Sequence, residues 1–572
     1  MACTKKRYFA HMKFNTTLRN LFLPALILTA CTFKNAEAQL KKKSVTTLPE
    51  NHWGYAPDKA KAWADSVYQS LNEEERIGQL FMVAAYSGGE NYNQEHIEQL
   101  LKKHQIGGII FMQGTAAKQA VLTNKYQKMA QVPLLIGMDA EWGLGMRLTG
   151  IRNYPRQMMI GATADTTLMY KIGAAVATQC KRLGVHVNFA PDIDVNNNPA
   201  NPVINFRSFG EDKNLVANMG IAYMKGLQHN GILACAKHFP GHGDVATDSH
   251  LDLPIITKSL QDLKNIELYP FQKLIEAGVQ SAMIAHLAVP AIDSTPHLPS
   301  TLSYNTATKL LKQEMGFKGL IFTDALNMKG VTKYFPDGET DLRAFAAGND
   351  VLLFSQDVPL AIQKIKTAIN QGQIPQAALE ESVTKILMAK YFAGLHTFTP
   401  IDTTTINNDL NAQVEAIKKT VAEEAVTLVK NNDTLFTNLR EPTASIGYLS
   451  IGNADSLSNI LKEVFPNIQN TTTNNLNKFD VVIVSIHASA LYPGKDGQYG
   501  LTKENIEAIR KAAKQPNVIV AMFGNAYALK YACDAPAILM GYEENRYSAK
   551  AICNVLEDKT AAPGKLPVKP CD

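Results

Sequence analysis

Between about Ile77 and Ser355 the chain alternates short apolar, often β-branched segments with stretches of helical spacing. Eight such segments begin at Ile77, Ile106, Val132, Val185, Ile232, Ser281, Gly319 and Asp350. Eight strand–helix alternations with right-handed crossovers are what a (β/α)8, TIM-like barrel needs, and no repeat at solenoid spacing is evident. The pattern predicts a catalytic barrel over residues 50–397. Phe398 to Asp409 is rich in Thr, Asn and Asp, contains Pro400 and has no apolar period, which predicts a linker over 398–410. Beyond it, the apolar segments Ser445 to Ile451, Phe479 to Ile486, Asn517 to Phe523 and Ala537 to Met540 alternate with helical patterns. They predict an α/β sandwich with a mainly parallel sheet over 411–572.

Composition agrees with this organisation. A chain of 572 residues, 46% hydrophobic and 19% charged, can bury a large core and is long enough for at least two globular units. The net charge of +5 is small and the basic residues are dispersed, which excludes the electrostatic footprint of a nucleic-acid binder and favours a compact neutral substrate. Residues 1–38 stand apart: Lys5, Lys6, Arg7, Lys13 and Arg19 precede the apolar run Leu21 to Ala30, which ends at Cys31. This reads as a secretory leader, too short for a comfortable membrane span. Leu28-Thr29-Ala30-Cys31 resembles a lipobox, which would anchor a lipidated Cys31 to a membrane, whereas Ala36-Glu37-Ala38 before Gln39 offers ordinary cleavage. Either way the chain is expected to be exported, to the periplasm or to a membrane surface. Of the remaining cysteines, Cys180 and Cys235 lie in apolar segments and read as buried thiols, while Cys553 and Cys571 are a candidate pair that spacing does not decide.

In a barrel the chemistry lies at the C-terminal ends of the strands. Here Asp139-Ala140-Glu141-Trp142-Gly143 follows the third apolar segment, Asp192 and Asp194 the fourth, Lys237-His238-Phe239-Pro240-Gly241-His242-Gly243-Asp244 the fifth, His286 the sixth and Asp324 the seventh. The fifth loop continues to Asp248-Ser249-His250, and its glycines allow it to close over a substrate. Asp248 and His250 fall on one face of an extended segment, so the carboxylate can orient the imidazole and raise its pKa into the range of a proton donor. Asp324, at a different strand end, can attack an anomeric carbon.

Each of these residues also has a plainer reading. Asp192 and Asp194 could simply brace their loop, and Trp142 suits a core as well as a sugar platform. From spacing alone, His238, His242, Asp244 and His250 could hold a metal in a barrel hydrolase. Lys237 could form a Schiff base. A carbohydrate-binding barrel without activity is the non-enzymatic alternative, and it gives no reason for a nucleophile and a dyad together.

The stretch Lys237 to His250 closely resembles the signature of glycoside hydrolase family 3, particularly its bacterial β-N-acetylglucosaminidase (β-N-acetylhexosaminidase) branch. The resemblance implies that Asp248 and His250 form the acid/base dyad and that Lys237 and His238 bind sugar hydroxyls. Ile321 to Met328 is similar to the family's nucleophile segment, which implies Asp324 as nucleophile. Asp139-Ala140-Glu141 resembles the family's D-x-E turn, implying that Asp139 and Arg147 contact the terminal sugar, and Asn205 to Gly210 resembles its R-S-F segment, implying the same for Arg207. The sequence departs from the branch at Trp142-Gly143-Leu144, where two glycines and an arginine are usual, so contacts to the leaving part of the substrate are open there. The end of the chain, Gly564 to Val568, is more loosely similar to the family's second domain, and only Glu543-Glu544 offers itself as the acid/base glutamate that another branch takes from that domain. The implied activity is retaining removal of terminal β-linked N-acetylglucosamine from muropeptides, chitooligosaccharides or other glycans, with no metal or organic cofactor and no protein partner called for. A β-glucosidase or phosphorolytic member of the same family is the alternative within it.

Overall fold

The computed structural model describes residues 57–248, 251–453 and 455–571. The leader, with Cys31, lies outside the described residues, and so does His250.

Eight parallel strands form the barrel: β1 (Phe81–Ser87), β2 (Gly108–Thr115), β3 (Leu135–Met138), β5 (Val187–Asn188), β6 (Leu233–Phe239), β7 (Ser281–Ile284), β8 (Leu320–Thr323) and β9 (Leu352–Leu353). A two-residue strand, β4 (Leu148–Thr149), pairs with the end of β2. The hydrogen-bonded order is β8-β7-β6-β5-β3-β2-β1-β9, and a bridge between Phe322 and Val351 joins its ends. All eight apolar segments therefore lead into barrel strands. The first differs in detail: Ile77 lies in the helix Glu73–Gly78, and its strand starts only at Phe81.

Helices pack around the ring. Asp165 caps Thr166–Arg182 and Asp212 caps Lys213–Gln228, each carboxylate accepting two backbone N–H groups. These two helices touch backbone to backbone through glycines. A Cβ on Gly226 would come within 2.4 Å of the Tyr170 carbonyl, and one on Gly173 within 2.6 Å of the Tyr223 carbonyl.

The segment expected as a linker is irregular up to Ile406, where a helix runs Ile406–Asn411. It lies along the barrel, fixed by Arg182, whose guanidinium donates to the Asp402 and Thr404 carbonyls and to Asp409.

The second sheet contains β10 (Thr427–Lys430), β11 (Ile446–Gly452), β12 (Gln469–Asn470), β13 (Val481–His487), β14 (Val518–Phe523) and β15 (Ala537–Tyr542), in the order β10-β15-β14-β13-β11-β12. All pairs are parallel except β10 with β15. Alternation along the fully buried strands β13 and β14 divides the core. Val481, Ile483, Ile519 and Ala521 pack with Leu435, Phe436 and Ile552 on one face. Val482, Val484, Val518 and Val520 join the large core that continues into the barrel.

Cys571 pairs with Cys533, not with Cys553. The helix Arg546–Leu556 turns Cys553 into the core, out of reach of the chain end, and Cys180 and Cys235 are likewise buried thiols. Burial pushes all three thiols up to about 12.

Candidate active site

A cavity of about 260 Å³ opens at the C-terminal ends of the barrel strands. Asp139, Arg147, Arg207, Lys237, His238 and Asp324 all line it, so six of the eight residues expected at the site share one space. Of the other two, Asp248 is half-buried in the loop after β6 and is not among the lining residues, and His250 lies outside the described residues. The Asp248 carbonyl accepts the N–H groups of Leu251 (3.0 Å) and Asp252 (3.1 Å).

The floor of the cavity is an ionic lattice. Lys237 Nζ sits 2.8 Å from Asp139 Oδ1 and 2.8 Å from Glu141 Oε1. Arg147 donates to Asp139 Oδ2 at 2.6 Å. Arg207 grips Glu141 with two bonds, Nε to Oε2 (3.1 Å) and Nη2 to Oε1 (2.7 Å), the bidentate geometry that fixes a guanidinium plane. Burial would raise the Asp139 carboxyl, but Lys237 and Arg147 outweigh it and hold it well below the usual range. Burial would raise Glu141 too, and Arg207 and Lys237 bring it down to about 2. Lys237 is raised by the same two carboxylates against the opposing effect of burial.

Two carboxylate oxygens at 2.8 Å from Lys237 Nζ argue against the Schiff-base reading, since they favour the ammonium over the neutral amine that a nucleophile needs. Lys237 instead spends two of its three donors on Asp139 and Glu141, leaving one to face the cavity.

Asp192 and Asp194 lie behind this floor. Asp194 accepts from the backbone N–H of His242 (2.7 Å) and is 2.7 Å from His238 Nδ1, so it orients the imidazole ring. Burial, then the neighbouring Asp194 carboxylate, raises Asp192 well above the ordinary range. Asp194 is lowered: the effect of its burial is overcome by His238. Asp194 thus braces the His238 ring and the His242 backbone, and Asp192 Oδ1 in turn accepts the Asp194 N–H at 3.1 Å.

The metal-ligand reading is not met by the described members of its set. Asp244 pairs with Lys258 at 2.8 Å and does not line the cavity. His242 lines it, with its ring pushed down to about 4 by burial and by nearby His238. The one group of potential ligand atoms that converges among the described residues is Asp192, Asp194 and His238, with the Arg207 guanidinium 3.5 Å from Asp192. A cation already occupies that face.

The glycines of the β6 loop act first as packing residues. A Cβ on Gly243 would lie 1.8 Å from the Val195 carbonyl, and Gly241 has φ +124° against Glu267. Asp324 follows β8, with its Oδ1 fixed by the Ala325 N–H at 2.7 Å. His286 lies outside the cavity lining and bonds Thr301 Oγ1 (2.7 Å) and the Ala325 carbonyl (2.9 Å), which steadies the turn carrying Asp324.

Sequence reasoning missed two contributors. Glu141 ties Lys237 to Arg207, and its signal was present in the D-x-E turn. Tyr492 comes from the chain after β13, lines the cavity and packs edge-on to Phe206 at 4.7 Å. No local pattern marks it. Trp142 is 8% exposed and lines the cavity, with its ring 5.8 Å from Phe206. Glu543 and Glu544 are engaged elsewhere, Glu543 with the Arg156 backbone N–H (2.8 Å) and Glu544 with His487 (2.5 Å).

Residues 72–389 match the model of the glycosyl hydrolase family 3 N-terminal domain. The chain is similar to a β-N-acetylglucosaminidase/β-glucosidase of Cellulomonas fimi, 29% identical over 67% of this chain and 69% of that protein. It is also similar to β-hexosaminidase A of Pseudoalteromonas piscicida, 32% identical over 59% of this chain and 62% of that protein. Among solved structures it resembles a glycoside hydrolase family 3 β-N-acetylglucosaminidase from Paenibacillus sp. str. FPU-7, with a TM-score of 0.70 and 27% identity over 87% of this chain and 99% of the other.

The ionic floor has a defined pH window. Lys237 is raised, so its contribution to stability is present below the ordinary lysine value of ~10.4 and is lost only as pH climbs through the raised one. Asp139 and Glu141 are lowered, so theirs is present above ~4 and lost as pH falls towards the folded values. Lys237→Met removes the shared cation and is expected to cost about 3–5 kcal/mol near neutrality, as for other broken buried pairs. The deficit should shrink at about pH 4, where the stranded carboxylates of the variant take up protons. Urea unfolding of both proteins at the two pH values checks this, and a deficit that grows on acidification would contradict it.

Proposed function

The chain belongs to glycosyl hydrolase family 3 and is a glycosidase, and from that premise we propose that it releases terminal β-linked N-acetylglucosamine with retention of configuration. The observation that carries the reading is the position of Asp324 in the same cavity as Asp139, Arg147, Arg207, Lys237 and His238. A nucleophilic carboxylate at one strand end thus meets fixed hydrogen-bonding groups from others. The relatives named for β-N-acetylglucosaminides and β-hexosaminides support the substrate class. Muropeptides, chitooligosaccharides and other glycan fragments all present the required terminal sugar.

In the first step the Asp324 carboxylate attacks the anomeric carbon while the bond to the leaving oxygen breaks and His250, oriented by Asp248, protonates that oxygen. In the second, His250 takes a proton from water, whose oxygen displaces Asp324 and frees the sugar. Asp139 accepts sugar hydroxyls, and Arg147, Arg207, His238 and the remaining donor of Lys237 complete the grip. The assignment of His250 and Asp248 rests on the loop motif. The loop grows from the end of β6, two strands from β8 in the sheet order.

Asp324→Ala is expected to abolish turnover of every substrate. His250→Ala should lose ~10²–10⁴ in rate on substrates with poor leaving groups and much less on activated aryl glycosides, whose departure needs little acid assistance. With the base for the second step also gone, a pre-steady-state burst should appear. Equal losses on both substrate types without a burst, alongside near-normal turnover by Asp324→Ala, would remove the role assignments.

Export is the second part of the proposal. The leader motivates it, and the Cys533–Cys571 disulfide supports it, because such bonds persist in oxidising compartments. Mass spectrometry of protein isolated from its own host should find a mature start at Cys31 carrying lipid, or else at Gln39. An unprocessed Met1 would refute both versions.

A further inference from the structure

The barrel supplies every charged group of the cavity floor, yet the loop that carries Arg207 is held from the second sheet. We infer that Asn525, at the end of β14, is a positioning residue for Arg207, with Tyr527 bracing the same loop from beside it. The inference rests on the sugar-gripping role proposed for Arg207.

Asn525 stands at the N-terminus of the short helix Ala526–Tyr531, and its Oδ1 accepts the Tyr527 N–H at 3.0 Å. That leaves its amide nitrogen to point towards the barrel. One Nδ2 hydrogen goes to Asn205 Oδ1 at 2.5 Å and the other to the Leu491 carbonyl at 2.6 Å. A single amide thus ties together the residue two before Arg207 and the residue just before Tyr492, and Arg207 and Tyr492 both line the cavity. Asn205 needs the support. Its φ of +43° lies in the left-handed region, which a non-glycine residue occupies only when its surroundings hold it there. Its own Nδ2 reaches the Pro199 carbonyl at 3.1 Å, and its backbone N–H donates to Asn196 Oδ1 at 2.8 Å.

Asn196 is in turn held by Tyr527. The hydroxyl accepts from Asn196 Nδ2 at 2.9 Å and shares its proton between the Asn196 carbonyl (2.9 Å) and Glu211 Oε1 (2.8 Å). Asn196, Asn205, Asn525 and Tyr527 are each no more than 2% exposed, so losing one partner leaves a buried polar group unmet. From Asn205 the chain passes through Phe206, wedged against Tyr492, directly to Arg207 and its two bonds to Glu141. A shift at Asn205 has nowhere to go but into the guanidinium. The second sheet therefore shapes the site without placing a charged group in it.

The test uses the full-length enzyme and an aryl N-acetyl-β-glucosaminide. Asn525→Ser keeps a capping oxygen for the Tyr527 N–H, which preserves the helix start, but is too short to reach Asn205. It and Asn525→Ala are expected to raise KM about tenfold with a much smaller change in kcat, the signature of lost substrate positioning. Thr502→Ala removes the cap of helix Lys503–Ala513 in the same part of the chain and should lower Tm without moving KM. Arg207→Ala should raise KM, and adding Asn525→Ser to it should raise KM little further, because the two act as one unit. If Asn525→Ser is folded and keeps the wild-type KM while Arg207→Ala does not, the inference is overturned and the reading of Arg207 stands. If Arg207→Ala itself keeps the wild-type KM, the sugar-gripping role falls and takes the inference with it.

Discussion

The bridge that Lys237 makes between Asp139 and Glu141 is the interaction on which the rest of the site depends. A buried ammonium is costly in isolation and tolerable only when its donors meet carboxylates of fixed geometry. The two carboxylates come from the turn after β3 and the lysine from the end of β6, so satisfying the charge locks two strand ends together. Arg147 and Arg207 extend the lock to the turn just before β4 and to the loop after β5. The three cations Lys237, Arg147 and Arg207 are thus tied to the carboxylates Asp139 and Glu141 before substrate arrives.

Around that floor the fold divides its labour by rigidity. The strand ends hold the groups that must not move, and the loop after β6 begins with glycines seated against Val195 and Glu267 before it reaches the exposed Ala246 and Thr247. The second sheet adds a buttress of neutral amides and hydroxyls. Neutral groups suit that place. They transmit position through hydrogen bonds and leave the electrostatic balance of the floor untouched.

Much of this was legible in the sequence because parallel strands buried on both faces read as continuous apolar runs, and a barrel puts its chemistry just after them. That rule brings Asp139, Lys237, His238 and Asp324 to one cavity from three strand ends. It works less well at edges. Gln469–Asn470 has two exposed polar residues and no apolar signal, and β10 is a short antiparallel edge with an irregular register. It fails for contacts made by distant chain, since nothing around Tyr492 or Asn525 announces a neighbour in the barrel. The cysteines show the same limit: spacing offers Cys553 for Cys571 without deciding it, and only the helix that buries Cys553 and the bond to Cys533 settle the pairing. Glu141 is a different case, visible in its motif but without a role until the lysine and arginine that share it are seen together.

The central claim is that this floor presents a β-linked N-acetylglucosaminide to Asp324 for two successive inversions. Proton NMR of the hydrolysis of an aryl N-acetyl-β-glucosaminide, followed from the first turnover, tests it most directly, because the anomer formed first records the number of displacements. The account predicts that the β-anomer of free N-acetylglucosamine appears first and the α-anomer only later by mutarotation. First appearance of the α-anomer would contradict it.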